Sequence, residues 1–250
     1  MTNFLRGAMV LTVAGIVVKI LGGLNRIFLS RLLGGEGIGL YQMAYPVYIL
    51  LLSIIGAGIP IAVSIMIAEQ AARGHYSGVR RIFHVTLAFM TVVAVLCGLA
   101  LPFGAQAMIE FGIVRDSRAL PALAVLGPAL SLSVIVCCFR GYFQGLQLMT
   151  PTALSQMADQ FVRVCTMLVL AWVFLPRGLE WAAAGASFGA VPGAAAGLIL
   201  IAFLYYRHQR NPLPDDDGVF VIQSARHIIR RLVVLAVPVG AANMLLPAVA

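Results

Sequence analysis

The amino-acid sequence predicts an all-α, polytopic membrane helix bundle, and three observations carry that prediction. Of 250 residues, 61% are hydrophobic and only 10% charged, with a mean hydropathy of +0.98, whereas a soluble domain is about 45–50% apolar and about 25% charged. Apolar runs long enough to cross a bilayer recur along the whole chain. The basic residues gather in the short segments between those runs, where they orient helices against a membrane. Too few polar side chains remain to cover a water-facing surface, so lipid must wet much of the exterior.

Because a helix needs about 20 mostly apolar residues to cross the hydrocarbon, the chain divides at its charge clusters and turn residues into seven candidate spans: 6–33, 38–68, 80–106, 118–139, 152–175, 179–206 and 228–250. The first begins after Arg6 and resembles a signal peptide, but it runs on to Lys19 and Gly22-Gly23 without a small-residue cleavage site and reads as a retained helix. The last reaches Ala250 with no polar flank, as expected for the front portion of a longer protein whose C-terminal half lies beyond it. On this division residues 1–206 form a six-helix N-terminal lobe. Residues 207–227, with Pro212, Pro214 and the run Asp215-Asp216-Asp217-Gly218, form a cytoplasmic inter-lobe loop, and residues 228–250 begin a second lobe. An ordinary long loop fits the same residues.

Orientation follows from the arginines. Placing the N-terminus inside puts Arg6, Arg73, Arg80, Arg81, Arg140, Arg207, Arg210, Arg226, Arg230 and Arg231 on the cytoplasmic side, and leaves Arg115, Arg118, Arg177 and at most Arg31 outside. The formal net charge of +8 therefore reads as membrane orientation. It does not point to nucleic-acid binding, which would also need aromatic residues interleaved with the basic ones.

Internal prolines at Pro46, Pro60, Pro121, Pro128, Pro192 and Pro238 each remove a backbone donor and predict kinks. In the sixth span Gly185, Gly189, Gly193 and Gly197 recur every four residues, leaving gaps on one helix face for a neighbouring backbone.

An ionisable side chain within a membrane helix costs about 2.5–3.5 kcal/mol on insertion scales and needs a cavity or a partner. In the first span, VVKILGGLNRIFLSRLLGGEG places Lys19, Asn25 and Arg26 on an apolar helix, Lys19 and Arg26 on nearly one face. Lys19 lies about 17 Å along the helix, near mid-membrane. These residues read as a cationic cavity wall for an anionic cargo, with snorkelling as the alternative.

In the fifth span, TPTALSQMADQFVRV opens with Thr150 as N-cap and Pro151 at the first helical position. Gln156, Asp159, Gln160 and Arg163 then form a polar stripe, in which Asp159 and Arg163 at i, i+4 could simply neutralise each other. At the end of the fourth span, Arg140 either meets a phosphate at the cytoplasmic surface or anchors its helix, and Tyr41, Gln42 and Tyr45 read as an outer aromatic belt.

Catalytic and metal signatures are missing. The one lysine, Lys19, has no Walker pattern before it; His75, His84, His208 and His227 form no HExxH pair; Asp215 to Asp217 read as a solvated loop. Cys97, Cys137, Cys138 and Cys165 lie in apolar runs without metal or redox spacing. No cofactor is expected, beyond a coupling ion (Na+ or H+) or the membrane potential.

The segments KILGGLNRIFLSRLLGGEGIGLYQMAYPVY, GAGIPIAVSIMIAE and FRGYFQGLQLMTPTALSQMADQFVRV resemble the MOP superfamily of exporters, in particular the polysaccharide-export and stage V sporulation protein B branch, related to the MurJ-like lipid II flippases. The resemblance covers nearly all of this chain but about half of a full-length member. It implies a MATE-like fold of two six-helix lobes around a central cavity open alternately to each side, in the cytoplasmic membrane, with an undecaprenyl-pyrophosphate-linked glycan as cargo and membrane lipids as surroundings. It also implies that Lys19 and Arg26 face the pyrophosphate. Many relatives carry arginine where Lys19 stands, and lysine keeps the charge but gives up bidentate geometry. Two other functions fit a chain of this kind: a MATE-type drug/cation antiporter using Asp159, and a membrane scaffold or polyprenyl-lipid enzyme.

Overall fold

The computed structural model describes residues 2–56, 58–112, 114, 116–210 and 224–249. Among the described residues it is a helix bundle with no strand. In chain order the helices are α1 (Thr2–Gly56), α2 (Ile59–Ala72), α3 (Tyr76–Glu110), α4 (Leu120–Ala124), α5 (Gly127–Gly145), α6 (Met149–Phe174), α7 (Leu179–Phe188), α8 (Ala190–Gln209) and α9 (Ala225–Val249). Among the described residues five stretches are long and apolar enough to cross a membrane: Gly7–Ala72, Tyr76–Glu110, Ser117–Gly145, Met149–Arg177 and Leu179–Gln209.

The first stretch is 66 residues, about 100 Å if straight, against a hydrocarbon core of about 30 Å. It cannot be one pass. Gly34 divides α1 with φ 67° and ψ −175°, a conformation in which a side chain would be strained. The arm before Gly34 and the arm after it therefore cross separately, as the expected first and second spans do.

Three expected spans are interrupted. The second ends at Gly56 and restarts at Ile59, with Pro60 in the first turn of α2 where its missing N–H costs nothing. The fourth is split between Ala124 and Gly127, again with a proline, Pro128, at a helix start. The sixth is split at Gly189 between α7 and α8. The expected cap on α6 differs as well. The helix begins at Met149 behind Leu148, with no side-chain cap bond. Gln147 at φ 60° and the bond from Leu148 N to Phe143 O make the turn, and Thr150 falls inside the first helical turn rather than at the cap. The loop residues 211–223, including Asp215-Asp216-Asp217-Gly218, lie outside the described residues.

The exterior is apolar: Phe103 is 83% exposed, Phe111 82%, Ile199 70% and Trp172 67%. This is what a lipid-facing surface requires, since helices satisfy most of their backbone groups internally. Inside, Phe83 centres an aromatic cluster, with ring centroids 4.6 Å from Tyr205, 4.9 Å from Tyr142 and 5.2 Å from Phe139. These rings join α3, α5 and α8. A smaller cluster of Leu29, Leu33, Met167, Ala171, Ala182 and Ala186 joins α1 to α6 and α7.

Without a hydrophobic driving force between helices in lipid, close backbone approach must supply the packing. The glycine column does this. A Cβ at Gly185 would stand 3.0 Å from Leu170 O, at Gly189 2.7 Å from Met167 N, at Gly193 2.8 Å from Asp159 O and at Gly197 3.2 Å from Ser155 O. Four successive glycines thus lay α7 and α8 against the backbone of α6. On α5, Gly141 and Gly145 admit Pro60 O and Ser64 O of α2 in the same way, each within 2.9 Å of the absent Cβ. The start of α9 packs against α2, where Arg231 bonds Glu69 at 2.7 Å.

Gly193→Leu is expected to overpack the α6–α8 contact and lower the stability of the full-length protein by about 1–3 kcal/mol. Thermal unfolding in detergent reads this directly. Gly15→Ala, where nothing lies within 4 Å, is the control and should unfold at the wild-type temperature.

Candidate functional site

The two helices that carry the polar residues, α1 and α6, lie side by side. A Cβ at Gly7 would meet Met149 Cγ at 3.1 Å, and one at Gly22 would meet Gln160 Nε2 at 3.4 Å. Near the start of both helices the seam is an apolar groove of about 620 Å³ lined by Leu5, Met9, Val10, Val13 and Ala14 with Thr150, Ala153, Leu154 and Met157. Further along it opens into a cavity of about 340 Å³ between both arms of α1 and the middle of α6.

That cavity is lined by Gly22, Asn25, Arg26, Leu29, Ile38, Tyr41, Gln42, Tyr45, Pro46, Gln160, Arg163 and Met167. Four of the seven sequence-predicted site residues are among them: Asn25, Arg26, Gln160 and Arg163. Lys19 is not. It is exposed on α1, seven residues before Arg26 and so on nearly the same side of the helix. Gln156 and Asp159 do not line the cavity either.

Asp159 is committed elsewhere. Arg163 donates to its Oδ1 from Nη2 at 2.8 Å and from Nε at 3.2 Å, and Arg140 Nη2 stands 3.8 Å from its Oδ2. The neutralised i, i+4 pair anticipated as one reading of the α6 stripe is therefore present. It is what allows Arg163, only 8% exposed, to remain charged among apolar helices. Arg163 Nη1 also donates to Tyr45 Oη at 3.4 Å, so one face of the guanidinium holds the carboxylate while another reaches the cavity wall.

Tyr41, Gln42 and Tyr45 are a correction. Rather than forming an outer belt, they sit in the cavity wall: Tyr41 and Tyr45 stack with centroids 5.1 Å apart, and Tyr48, one turn on, is buried with its hydroxyl 3.0 Å from Ser133 Oγ. The i, i+4 spacing of tyrosines ahead of Pro46 was the available signal, since it makes one aromatic face on a helix that also carries Gln42. Arg140 is likewise no simple surface anchor. It is part-buried and donates to Ser155 Oγ at 3.4 Å.

Asn25 is 8% exposed and donates from Nδ2 to Met167 Sδ at 3.5 Å, while its Oδ1 is buried without a partner among the described residues. An orphan acceptor of this kind normally costs about 1–3 kcal/mol. Its place at the cavity makes a hydrogen-bonding ligand the natural recipient. Among the described residues no carboxylate lines the cavity, and no group of three or more His, Cys, Asp and Glu is gathered to hold a metal.

Solved structures share this architecture. The chain matches a MATE in the straight conformation with a TM-score of 0.81 at 14% identity, covering 97% of this chain and 53% of that one. It matches a MOP superfamily transporter from Pyrococcus furiosus with a TM-score of 0.80 at 15% identity, covering 97% and 52%. At such identities the likeness speaks for the fold alone, a MATE-like multi-pass helix bundle.

Curated relatives narrow the class. Stage V sporulation protein B of Bacillus subtilis (strain 168) is 33% identical over 236 residues, 94% of this chain and 45% of the relative. The lipid II flippase MurJ of the same organism is 30% identical over 222 residues, 85% of this chain and 41% of the relative. The profile of the polysaccharide biosynthesis protein family matches residues 4–249, and the chain belongs to that family, in the branch of stage V sporulation protein B. It spans about half the length of the curated relatives it matches.

Asp159→Ala is expected to strand Arg163 and Arg140 without their carboxylate and to cost about 3–5 kcal/mol. Replacing the pair together, Asp159→Leu with Arg163→Met, should recover much of that loss in a thermal melt. Asn25→Leu removes an unsatisfied buried acceptor and should hold or raise the melting temperature. A destabilised Asn25→Leu protein would show that Oδ1 has a partner in the intact molecule.

Proposed function

We propose that the full-length protein is a flippase that moves an undecaprenyl-pyrophosphate-linked glycan, lipid II or a polysaccharide repeat unit, across the cytoplasmic membrane by alternating access. The observation that carries this reading is the cavity on the α1–α6 seam, which has arginines, amides and stacked tyrosines on its wall and no carboxylate among the described residues. A cationic hollow bounded by apolar helices favours a desolvated anion, because electrostatic attraction strengthens as the dielectric falls. The amides and tyrosine hydroxyls offer donors and acceptors for sugar hydroxyls. The kinship with a lipid II flippase and a sporulation protein supports the same cargo class.

In this reading Arg26 and Arg163 hold the pyrophosphate, and Lys19, exposed on the Arg26 side of α1, meets it at the flank. Asn25 and Gln160 orient the headgroup, while Gln156 and Asp159 act from behind the wall. Residues 1–206 form the N-terminal lobe, 207–227 the cytoplasmic inter-lobe loop, and 228–250 the first helix of a second lobe that closes the cavity. The N-terminus is cytoplasmic, by the bias of arginine toward that side, and a Na+ or H+ gradient or the membrane potential drives the cycle.

The antiporter reading requires Asp159 to be free for a cation, and two guanidiniums already surround it. A scaffold or polyprenyl-lipid enzyme would not need a cationic hollow at membrane depth.

The test is translocation of lipid II by the full-length protein reconstituted in liposomes. Removing both cations, Lys19→Gln with Arg26→Gln, should slow translocation at least tenfold, about 1.4 kcal/mol of lost binding, at unchanged reconstitution yield. Undiminished transport by that variant would remove the two residues from the site. Cationic-dye efflux that depends on Asp159 would instead make the protein an antiporter.

A further inference from the structure

Arg163 and Arg140 approach different oxygens of Asp159. Arg163 Nη2 holds Oδ1 at 2.8 Å, whereas Arg140 Nη2 stands 3.8 Å from Oδ2. The three side chains are 10%, 17% and 18% exposed for Arg163, Arg140 and Asp159. Among the described residues these two guanidiniums share one carboxylate, which leaves one positive charge in surplus.

The two arginines are unequally served. Arg163 gives Asp159 two hydrogen bonds and lines the cavity. Arg140 does not line it. Among the described residues its Nε is buried without a partner, and its Nη2 donates at 3.4 Å to Ser155 Oγ, which itself donates to Gly197 O at 3.1 Å. Arg140 thus stands about 1 Å beyond the range of a charge-assisted bond to Oδ2, with a second donor idle.

We infer that Asp159 is a shared counterion, passed from Arg163 to Arg140 when an anionic group enters the cavity, and that Arg140 is a positioning residue for anion binding although it touches no part of the cavity. The inference rests on the reading of the cavity as a pyrophosphate site. An anion at Arg163 meets Asp159 as a like charge in a medium of low dielectric, where crowding the two on one cation is costly. A second cation behind the carboxylate removes that cost, because a small rotation of Asp159 gives each arginine one anion. The surplus positive charge of the empty cluster becomes the charge that the ligand neutralises.

The full-length protein in detergent tests this with undecaprenyl pyrophosphate as the probe, read as a dissociation constant beside a thermal melt of each variant. Arg140→Gln leaves Asp159 fixed on Arg163 and should weaken binding about tenfold or more. Adding Asp159→Asn to that variant removes the competing carboxylate and should return the affinity to the wild-type value or better. A merely structural Arg140 would not be rescued by losing a further charge. If Arg140→Gln does not fold, Arg140→Lys keeps the charge but not the fork, and should give a smaller loss that Asp159→Asn again reverses. Wild-type binding with an unaffected Arg140 variant, or with no rescue, overturns the inference and leaves the cavity reading intact. No binding by the wild type defeats the cavity reading and this inference with it.

Discussion

The bond between Arg163 and Asp159 is the constraint around which this bundle is arranged. A guanidinium at membrane depth is costly unless its charge is answered, and here the answer comes from the same helix one turn away. Because the pair is internal to α6, the helix can insert as a nearly neutral unit and still present a hydrogen-bonding edge of Arg163 to Tyr45 and the cavity. Arg26, on the facing helix, lines the same hollow, where no carboxylate among the described residues joins it. The cavity owes its positive character to that asymmetry: one arginine balanced, the other not.

The seam between α1 and α6 changes character along its length. Its opening section is walled by aliphatic side chains from Leu5 to Ala14, and its middle by amides, arginines and tyrosines. Small residues make this possible, since Gly7 and Gly22 let α6 side chains lie against the α1 backbone. The break at Gly34 then brings the second arm of α1 back across the seam, which is how Tyr41 and Tyr45 reach a cavity that begins with Gly22 and Asn25.

Much of this was legible in the residues. Composition and apolar run length are first-order consequences of the bilayer, so helix content and most span limits followed from them. The glycine period of α7 and α8 followed equally, because a four-residue repeat has one meaning on a helix face. Breaks within spans were harder to read. Pro60 and Pro128 were visible as kinks, but whether proline bends a helix or starts a new one depends on the backbone before it. Polar residues split along the same line. Asn25, Arg26, Gln160 and Arg163 met in one hollow, whereas Lys19, Gln156 and Asp159, placed by the same spacings, do not line it, because spacing fixes a face but not what packs against it. Tyr41 and Tyr45 were misplaced because a tyrosine near a helix end looks alike at a lipid interface and inside a bundle. The role of Arg140 depends on a contact across fifteen residues and two helices, which no local pattern encodes.

The glycine column has a mechanical consequence. With the backbone of α6 in contact with Gly185, Gly189, Gly193 and Gly197, no compressible layer of side chains separates the helices. Such contact resists rolling or sliding of one helix past the other. The wall that bears Gln160 and Arg163 is therefore the stiffer side of the hollow, and the facing wall, on α1, carries the joint at Gly34.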